Sequence, residues 1–305
     1  MNVKVARTLD EACERLAENP EAEVLAGGTD FMVEVNYRHR SPKAVVAISA
    51  VREIAGWRLE NESGGAGGMG ADAGRYGTLW IGANMTYTEM ATPAFERLLP
   101  ALTQAARTVG SPQIRNAGTI GGNLGTASPA GDTLPVLAAL DAEVLLRSAD
   151  GSRELALSEF ITGPKQTALQ QGEIITGVRV PLVAPTDASN DIGRGEFLKV
   201  GTRNAMVISV AGLALIARHD IQRVCVGLGS VAAVPVRPTE AEEWISPRLD
   251  WQQRSLLDPV DVETFGEMVA QAASPIDDHR STAVYRRHAV GVMAKRALVR
   301  TFGSE

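Results

Sequence analysis

The stretch from residue 111 to residue 133 limits the possible folds more than any other part of this sequence. It is dense in Gly, Ser, Thr, Asn and Pro, and it lies between two segments whose apolar residues recur at helical spacing. A structureless connection of this length is uncommon inside a compact domain, and such loops are usually functional. The sequence therefore predicts a binding loop in this region.

One segment of this stretch has residue types that suit an anion. It reads Gly118-Thr119-Ile120-Gly121-Gly122-Asn123, and Ala127-Ser128-Pro129 and Asp132 follow it. Backbone amides, a hydroxyl and an amide side chain can all donate hydrogen bonds to a phosphate group.

A second glycine pair lies between a predicted strand at residues 23–26 and a predicted helix that carries Phe31. Without Cβ atoms, Gly27 and Gly28 let the backbone approach a ligand closely, and free N–H groups at a helix start attract anions. The two segments together could hold the diphosphate of one dinucleotide, and Asp132 could accept a hydrogen bond from a ribose or ribityl hydroxyl. A tight structural turn is the alternative explanation for each segment alone.

A third pattern, Gly65-x-Gly67-x-x-Gly70, matches the dinucleotide fingerprint but lacks its context. That fingerprint needs a buried strand before it and a helix after it, and the sequence predicts neither. The surrounding residues 63–77 are rich in Gly and Ala, which predicts an exposed loop or hairpin tip. We therefore reject a dinucleotide site here.

Periodicity predicts an α/β unit at the start of the chain. Its helix begins at a capping box of Thr8 and Glu11, and the helical spacing places Cys13 on the core face. The predicted strands of this unit lie at residues 3–6, 23–26 and 44–48.

The middle of the chain is predicted to begin with a strand at residues 79–83. A second capping box, Thr86 with Glu89, follows it, and apolar spacing predicts one helix over residues 95–109. Val109 is either the last core residue of that helix or a residue that lines a ligand.

The last third changes to successive strands and then to helices after Pro238, which predicts a separate antiparallel α+β domain. The predicted strands lie at residues 173–180, 196–200, 208–218 and 222–228. In the final helix Tyr285, Ala289, Met293 and Ala297 form an i, i+4 ladder. The basic residues of that helix, Arg286 among them, predict a solvated charged face or a partner surface.

Charge and hydropathy exclude several function classes. The chain of 305 residues has a formal net charge of -6, and it has no basic stripe of the kind that nucleic acid requires. Its longest apolar stretches, such as residues 207–217, are too short to span a bilayer. The first residues lack an apolar signal segment, so we expect a cytoplasmic protein.

Cysteine and histidine usage excludes a metal site in this chain. Two cysteines, Cys13 and Cys225, cannot ligate an iron–sulfur cluster by themselves. The four histidines show no metal-ligand spacing. Any iron–sulfur cluster that works with this chain is therefore expected on another chain.

Four segments make the sequence resemble a known family, the FAD-binding medium subunits of the molybdenum hydroxylases, which include xanthine dehydrogenase and aerobic carbon monoxide dehydrogenase. The first is Ala26-Gly27-Gly28-Thr29-Asp30, and the second runs from Ser111-Pro112-Gln113-Ile114-Arg115 through the glycine segment to Asp132. The third is Lys199-Val200-Gly201-Thr202-Arg203, and the fourth contains Tyr285-Arg286-Arg287. They occur in the order and spacing of the family, and the match covers nearly the whole chain.

The resemblance implies an α+β chain with a two-lobed FAD-binding fold of the vanillyl-alcohol-oxidase/PCMH-like type, followed by a C-terminal domain of an antiparallel sheet and helices. The implied domains are an N-terminal lobe at residues 1–56, a middle lobe at 57–177 and a C-terminal flavoprotein domain at 178–305. FAD is expected between the first two lobes.

The resemblance also assigns the cofactor contacts. The glycine segments would wrap the diphosphate, Asp132 would hold a sugar-chain hydroxyl, Ile175 would line the cofactor, and Lys199 would approach it from the third lobe. The implied FAD-binding residues are Val24, Leu25, Ala26, Gly27, Gly28, Thr29, Asp30, Phe31, Gly118, Thr119, Ile120, Gly121, Gly122, Asn123, Asp132, Ile175 and Lys199.

By the same resemblance the chain relays electrons and has no catalytic acid or base of its own. FAD would be held here, and the iron–sulfur clusters and the molybdenum cofactor would be on a small and a large partner subunit. The flavin joins one-electron and two-electron carriers, and the protein supplies its position and electrostatics. An external acceptor would take the electrons, and a trimer of unlike subunits, doubled to a hexamer, is the expected assembly.

Two other functions are weighed against this one. A self-contained FAD oxidase or dehydrogenase would need a base or a substrate-binding group near the ring, and the sequence indicates none. A flavin-less scaffold subunit would not need both glycine segments. For single residues, Lys199 could instead be a surface lysine at a strand edge, and Arg203 a solvated arginine.

Overall fold

A computed structural model describes residues 2–60, 66–67, 77–182 and 194–303, and three main sheets organise that part of the chain. The first is a three-stranded parallel sheet with the strand order β1-β3-β2. Its strands are β1 (Asn2–Val5), β2 (Ala22–Leu25) and β3 (Ala44–Ala47), and its helices are α1 (Leu9–Glu18) and α2 (Phe31–Asn36).

Helix α1 forms for the reasons that its sequence indicates. The Thr8 hydroxyl accepts a hydrogen bond from the Glu11 backbone N–H, which satisfies one of the free donors at the helix start. The Glu11 carboxylate accepts from the Arg7 N–H, one residue before the predicted partner. Cys13 is buried, so the prediction that it lies on the core face is confirmed.

The second sheet has six antiparallel strands in the order β5-β4-β6-β11-β7-β8. These are β4 (Trp57–Glu60), β5 (Ala66–Gly67), β6 (Thr78–Gly82), β7 (Glu143–Ser148), β8 (Gly151–Ala156) and β11 (Ile174–Pro181). A small ribbon of β9 (Ile161–Gly163) and β10 (Gln166–Thr167) lies before β11. Most of residues 63–77, where we predict a hairpin tip and reject the glycine fingerprint, lie outside the described residues.

In the described part of the chain, seven short helices lie between and beside the strands of the middle sheet. They are α3 (Tyr87–Met90), α4 (Pro93–Glu96), α5 (Pro100–Thr108), α6 (Pro112–Ala117), α7 (Ile120–Thr126), α8 (Thr133–Ala139) and α9 (Leu157–Phe160). The predicted capping box before α3 is confirmed, because Thr86 and Glu89 exchange both hydrogen bonds. The single helix predicted over residues 95–109 is wrong: Pro100, which lacks an N–H, is the first residue of a new helix.

The predicted loop conformation of residues 111–133 is also wrong, because two short helices, α6 and α7, occupy much of this stretch. Ser111 caps α6 and Thr119 caps α7, each through its side-chain oxygen. Ala127 has a left-handed conformation with a φ of 45° and ends α7. The polar residues that resemble a loop in the sequence are thus the caps between short helices.

The third sheet is antiparallel, with the order β12-β13-β14, and it lies between two helical layers. Its strands are β12 (Arg194–Val200), β13 (Ala211–Arg218) and β14 (Arg223–Gly229), and a ribbon of β15 (Leu249–Asp250) and β16 (Ser255–Leu256) follows. The C-terminal helices are α10 (Thr239–Ile245), α11 (Asp261–Ala272) and α12 (Ala283–Phe302). Alternate residues of β13 belong to two hydrophobic cores, one shared with the middle lobe and one shared with α11 and α12.

Helix α12 buries the predicted ladder, except that Tyr285 is exposed. The prediction of a solvated basic face is wrong at Arg286. Its side chain is buried, donates to the carbonyl oxygens of Val210 (2.7 Å) and Ser230 (2.9 Å), and pairs with Asp278 at 2.6 Å. This arginine therefore fixes the start of α12 to the third sheet.

The predicted domain boundary at residue 178 lies inside β11, which is a central strand of the middle sheet. The division into domains at 56 and 177 stays a prediction. Among the described residues, no helix is both long enough and apolar enough to cross a membrane.

Candidate functional site

The first glycine segment, residues 26–31, connects β2 to α2 and lies directly against the second segment. A Cβ atom on Gly27 would lie 1.7 Å from the carbonyl oxygen of Ala117, so no side chain fits at this position. Gly28 has a φ of +72°, which L side chains rarely adopt. The two segments predicted to act together are therefore brought into contact.

Residues 27–31 present a row of free amide donors. Within the described chain, none of their five backbone N–H groups donates a hydrogen bond; the first donor of the following turn is Met32, to the Gly28 carbonyl at 3.0 Å. Successive free N–H groups are the usual way in which a backbone binds phosphate oxygens. This row matches the prediction of an anion-binding turn.

In the second segment, the amides of residues 120–122 already have acceptors within the chain. The N–H of Ile120 donates to Met85 O (3.1 Å), that of Gly121 to Ala83 O (2.9 Å) and that of Gly122 to the Thr119 hydroxyl (3.0 Å). A Cβ on Gly121 would lie 2.6 Å from the Ala83 Cβ, so this glycine is required for packing. These residues therefore pack and hydrogen-bond within the chain and do not form a second row of free amides.

Asn123 is held in place by its oxygen. Asn123 Oδ1 accepts a hydrogen bond from the Thr133 hydroxyl at 2.5 Å. Its Nδ2 donates to no described residue, so the amide hydrogens are free for a ligand.

Asp132 and Lys199, which lie 67 residues apart in the sequence, form a buried ion pair. Lys199 Nζ lies 2.6 Å from Asp132 Oδ2, and the side chains are only 7% and 6% exposed. Lys199 also donates to the Thr108 carbonyl at 3.3 Å. The alternative that Lys199 is a surface lysine is therefore wrong. This pair joins β12 of the third sheet to the start of α8.

One oxygen of Asp132 has no partner. Asp132 Oδ1 is buried and accepts no hydrogen bond from any described residue. An unsatisfied carboxylate oxygen is costly in a protein interior, and a hydroxyl donor from a ligand would satisfy it. Burial raises the pKa of the Asp132 carboxyl, and the Lys199 ammonium opposes that shift.

Tyr87 belongs to the same site, although the sequence offers no pattern that would identify it. Its ring packs on Gly118, where a Cβ would lie 2.7 Å from Tyr87 Cε2. Burial raises the pKa of its phenol, and the carboxylates of Asp132 and Asp30 raise it further. The phenol is therefore a neutral hydrogen-bond donor, and it makes no hydrogen bond to a described residue.

Ile175 and Val109 both pack in the main hydrophobic core. Ile175 is buried in β11 beneath α7, and a Cβ on Gly125 would lie 3.6 Å from its Cδ1. Val109 follows the last residue of α5, has an extended conformation, and is partly buried against the main core.

A cavity of about 450 Å³ adjoins the ion pair on the side of the third sheet. Lys199, Arg107, Arg115 and Arg203 are among its lining residues, and none of the lining residues is acidic.

This architecture and cleft match one family of proteins. The family model described as "FAD binding domain in molybdopterin dehydrogenase" matches residues 1–183, and the model "CO dehydrogenase flavoprotein C-terminal domain" matches residues 196–301. The chain belongs to this family. The resemblance that the sequence motifs indicate is thus confirmed.

Relatives in this family include subunits of several different dehydrogenases. The chain is 34% identical over 250 residues to the nicotinate dehydrogenase FAD-subunit of Eubacterium barkeri, and the alignment covers 78% of this chain and 77% of that protein. It is 29% identical over 297 residues to the putative xanthine dehydrogenase FAD-binding subunit of Escherichia coli K12, and that alignment covers 96% of this chain and 93% of that protein.

The fold matches solved structures across the whole chain. Carbon monoxide dehydrogenase from Oligotropha carboxidovorans superimposes with a TM-score of 0.83 at 23% identity and covers 100% of this chain and 98% of that chain. This similarity confirms the predicted fold class, a FAD-binding fold followed by a C-terminal sheet-and-helix domain.

Proposed function

We propose that this chain is the FAD-containing electron-transfer subunit of a molybdenum-dependent hydroxylase or dehydrogenase. In this role it takes electrons from the iron–sulfur clusters of a partner subunit and passes them to an external acceptor. The family membership and the FAD subunits among the relatives support the proposal.

The observation that carries the proposal is the pairing of unused donors with an unused acceptor in one cleft. The amides of residues 27–31 are free to bind phosphate oxygens, and Asp132 Oδ1 is free to accept from a hydroxyl. FAD contains a diphosphate and a hydroxyl-bearing ribityl chain, so its chemistry fits both. The predicted contacts of the second segment, Ile175 and Lys199 stay part of the proposal.

When bound, FAD would supply the redox chemistry, since its ring exchanges one or two electrons. The residues of this chain would bind and orient it. Lys199 would hold Asp132 directed towards the ligand, because its ammonium lies 2.6 Å from Asp132 Oδ2.

The partner subunits follow from the same family. Several relatives are named as medium or FAD-binding subunits, for example the medium chain of glyceraldehyde dehydrogenase from Sulfolobus acidocaldarius. We propose a small iron–sulfur subunit and a large molybdenum-cofactor subunit as partners of this chain as well. The cytoplasmic location and the hexameric assembly stay predictions.

An absorption spectrum of the purified chain tests the proposal directly. We expect flavin absorption bands in the visible region. Denaturation should release free FAD, which is identified by its mass. A folded chain that is colourless and takes up no added FAD would contradict the proposal and favour the scaffold function. If the chain does release FAD, co-purification from the source cells would identify the iron–sulfur and molybdenum partners.

A glycine variant and a control variant test where the cofactor binds. Gly122→Leu adds a bulky side chain beside Thr119 in the second segment, and a Cβ there has open space apart from the Thr119 hydroxyl at 3.2 Å. We expect loss of FAD without loss of folding. The control is Ser152→Leu on the exposed strand β8. Gly172→Leu is unsuitable as a control, because Gly172 has a φ of +83° and a side chain there would strain the backbone. Equal FAD content in both variants would contradict the proposed site.

A further inference from the structure

The tip of the β9–β10 hairpin contacts both helices that adjoin the glycine segments. The N–H of Lys165, at this tip, donates to the carbonyl oxygen of Ala127 at 2.9 Å, and Ala127 is the residue that ends α7. The Nζ atom of the same lysine lies 2.6 Å from Glu34 Oε1 in α2. One residue of the middle lobe therefore connects the end of α7 to the helix that follows the first glycine segment.

The backbone of Lys165 has a conformation that suits glycine better than lysine. Its φ is 57°, and it follows Pro164, whose ring fixes φ. A turn with proline first and a positive φ second usually has glycine or asparagine in the second place. Strained residues of this kind cluster at functional sites. Because a glycine here would lack the ammonium group, the side chain of Lys165 explains why a lysine occupies a strained position.

Helix α2 depends on contacts outside its own turn. It has six residues, all of them described, and only Phe31 is buried. Its first residue is preceded by Asp30, which makes no side-chain capping bond, and helices this short are marginal without tertiary contacts. Glu34 accepts from Arg40 of the same lobe at 3.3 Å and from Lys165 of the middle lobe at 2.6 Å. The closer of its two cations thus comes from the other lobe.

Both partners of this contact are charged at neutral pH. The hydrogen bond from Lys165 lowers the pKa of the Glu34 carboxyl, although burial opposes that shift. The same hydrogen bond raises the pKa of the Lys165 ammonium. The contact is therefore an ion pair under the conditions in which the chain would bind its cofactor.

We propose that Lys165 is a positioning residue that holds α2, and with it the free amides of residues 27–31, and that it thereby slows the release of FAD. This inference rests on the proposed function, because FAD is the ligand whose release is slowed. Lys165 acts through Glu34 and is not among the residues assigned to the cofactor. Since its backbone is bonded to the end of α7, a movement of α2 away from α7 must break the ion pair.

The rate of FAD release from the purified chain tests the proposal. The chain is diluted rapidly, and the rise of free-flavin fluorescence gives the rate. We expect Lys165→Gly to release FAD about threefold faster, the size of effect that a partly exposed ion pair has, since the two side chains are 54% and 26% exposed. Lys165→Arg keeps the charge and should stay close to the wild-type rate. An unchanged rate in Lys165→Gly would overturn the proposal.

Thermal unfolding of the FAD-free chain separates this role from a general effect on stability. Glycine adopts the left-handed backbone of residue 165 without strain. The midpoint of Lys165→Gly should therefore not fall, although its FAD is released faster. A lower midpoint in the FAD-free variant, by an amount that accounts for the faster release, would show a merely structural role and would overturn the proposal.

Glu34→Gln separates the ion pair from a simple attraction between Lys165 and the anionic cofactor. Removing a negative charge would slow the release of FAD if only the local field mattered. If the ion pair holds α2, the same change should speed the release, and combining it with Lys165→Gly should add little. Slower release from Glu34→Gln, or strictly additive effects in the double variant, would overturn the proposal.

The matched control is Arg147→Gln. Arg147 pairs with Asp10 at 2.5 Å and also connects the first two lobes, but this pair joins β7 to α1 and involves neither α2 nor α7. We expect the wild-type rate of FAD release from this variant. An equal acceleration by Arg147→Gln would mean that any ion pair between the lobes has the same effect, and it would overturn the specific role of Lys165.

Amide hydrogen exchange of the FAD-free chain separates this proposal from the proposed function. Mass spectrometry of the peptide that covers residues 31–37 should show faster exchange in Lys165→Gly than in wild type or Arg147→Gln. A wild-type chain that binds no FAD would contradict the proposed function, whereas the exchange would still decide whether Lys165 holds α2. Equal exchange in all three proteins would overturn the inference.

Discussion

At the scale of single residues, the candidate site depends on a few atoms whose replacement has predictable effects. A glycine is required at position 27, because the Ala117 carbonyl leaves no room for a side chain there. Asp132 and Lys199 are required together, because each neutralises the charge of the other in a buried environment.

Gly27→Ala should separate the two glycine segments. The new methyl group would lie 1.7 Å from Ala117 O, so the backbone must move. We expect a lower thermal unfolding midpoint and loss of bound FAD. The matched control is Gly125→Ala, whose Cβ meets only Ile175 Cδ1 at 3.6 Å and whose helical position favours alanine. If both variants keep the wild-type midpoint, the contact is not required.

Asp132→Asn should destabilise the chain by about 3 kcal/mol, because it leaves the Lys199 ammonium buried without a charged partner. Lys199→Met alone should also destabilise, because it leaves the carboxylate unpaired. The double variant should lose less free energy of unfolding than the sum of the two single losses. Denaturant unfolding at a fixed FAD concentration measures the free energy of unfolding of the wild type, the two single variants and the double variant. Strictly additive losses would contradict the coupling between the two residues.

At the scale of elements, short helices replace what resembles a loop in the sequence. Residues 111–133 have loop composition because their Ser, Thr and Gly residues cap α6 and α7 and because Gly121 lets α7 pack on Ala83. Helices of six or seven residues contain too few apolar positions for their period to be recognised. Tertiary contacts therefore decide their conformation.

The anchor of α12 gives a pH prediction. The backbone N–H of Arg280, the Arg286 guanidinium and the Ser281 N–H all donate to Asp278 and lower its pKa from its ordinary value to about 2. A lowered pKa stabilises the fold above the unfolded-state pKa of about 3.9, and this contribution is lost as the pH falls towards 2.

Asp278→Asn keeps an acceptor oxygen but removes the charge. We expect this variant to be less stable than wild type at pH 7, and the difference between their thermal midpoints to shrink between pH 4 and pH 2. The control is Asp258→Asn, which changes an exposed aspartate in the loop before α11. A difference that stays constant down to pH 2 would contradict the role of the Asp278 charge.

At the scale of the whole molecule, the third sheet completes the candidate site. It packs on α8, where a Cβ on Gly227 would lie 1.8 Å from the Pro135 carbonyl oxygen. The same sheet carries Lys199 to Asp132 at the start of α8. The site therefore requires all three parts of the chain.

Gly227→Ala should push β14 away from α8 and weaken the contact between the third sheet and the middle lobe. We expect a lower thermal midpoint and a weaker affinity for FAD, because the Lys199–Asp132 pair would be displaced. Gly212→Ala in the neighbouring strand is the control, since its Cβ has only ordinary contacts at 3.5 Å or more. Fluorescence titration with FAD measures the affinity of both variants for the cofactor. Equal affinities would contradict a site that depends on this packing.

Local patterns of residues were enough to identify the family, strands in all three main sheets, and the segments of the candidate site. This was possible because glycine pairs, caps and apolar periods are local signals, and because the four motifs keep the order and spacing of the family. The confirmed cap of α3 and the core position of Cys13 are of this local kind.

Which donors and acceptors are free depends on long-range packing. The amides of residues 120–122 find acceptors in Ala83, Met85 and Thr119, whereas those of residues 27–31 find none in the described chain. Lys199 meets Asp132, Arg286 is buried, and Tyr87 enters the site through contacts between residues far apart in sequence. Hydrogen bonding and burial are properties of such distant pairs, and no local pattern of residues specifies them.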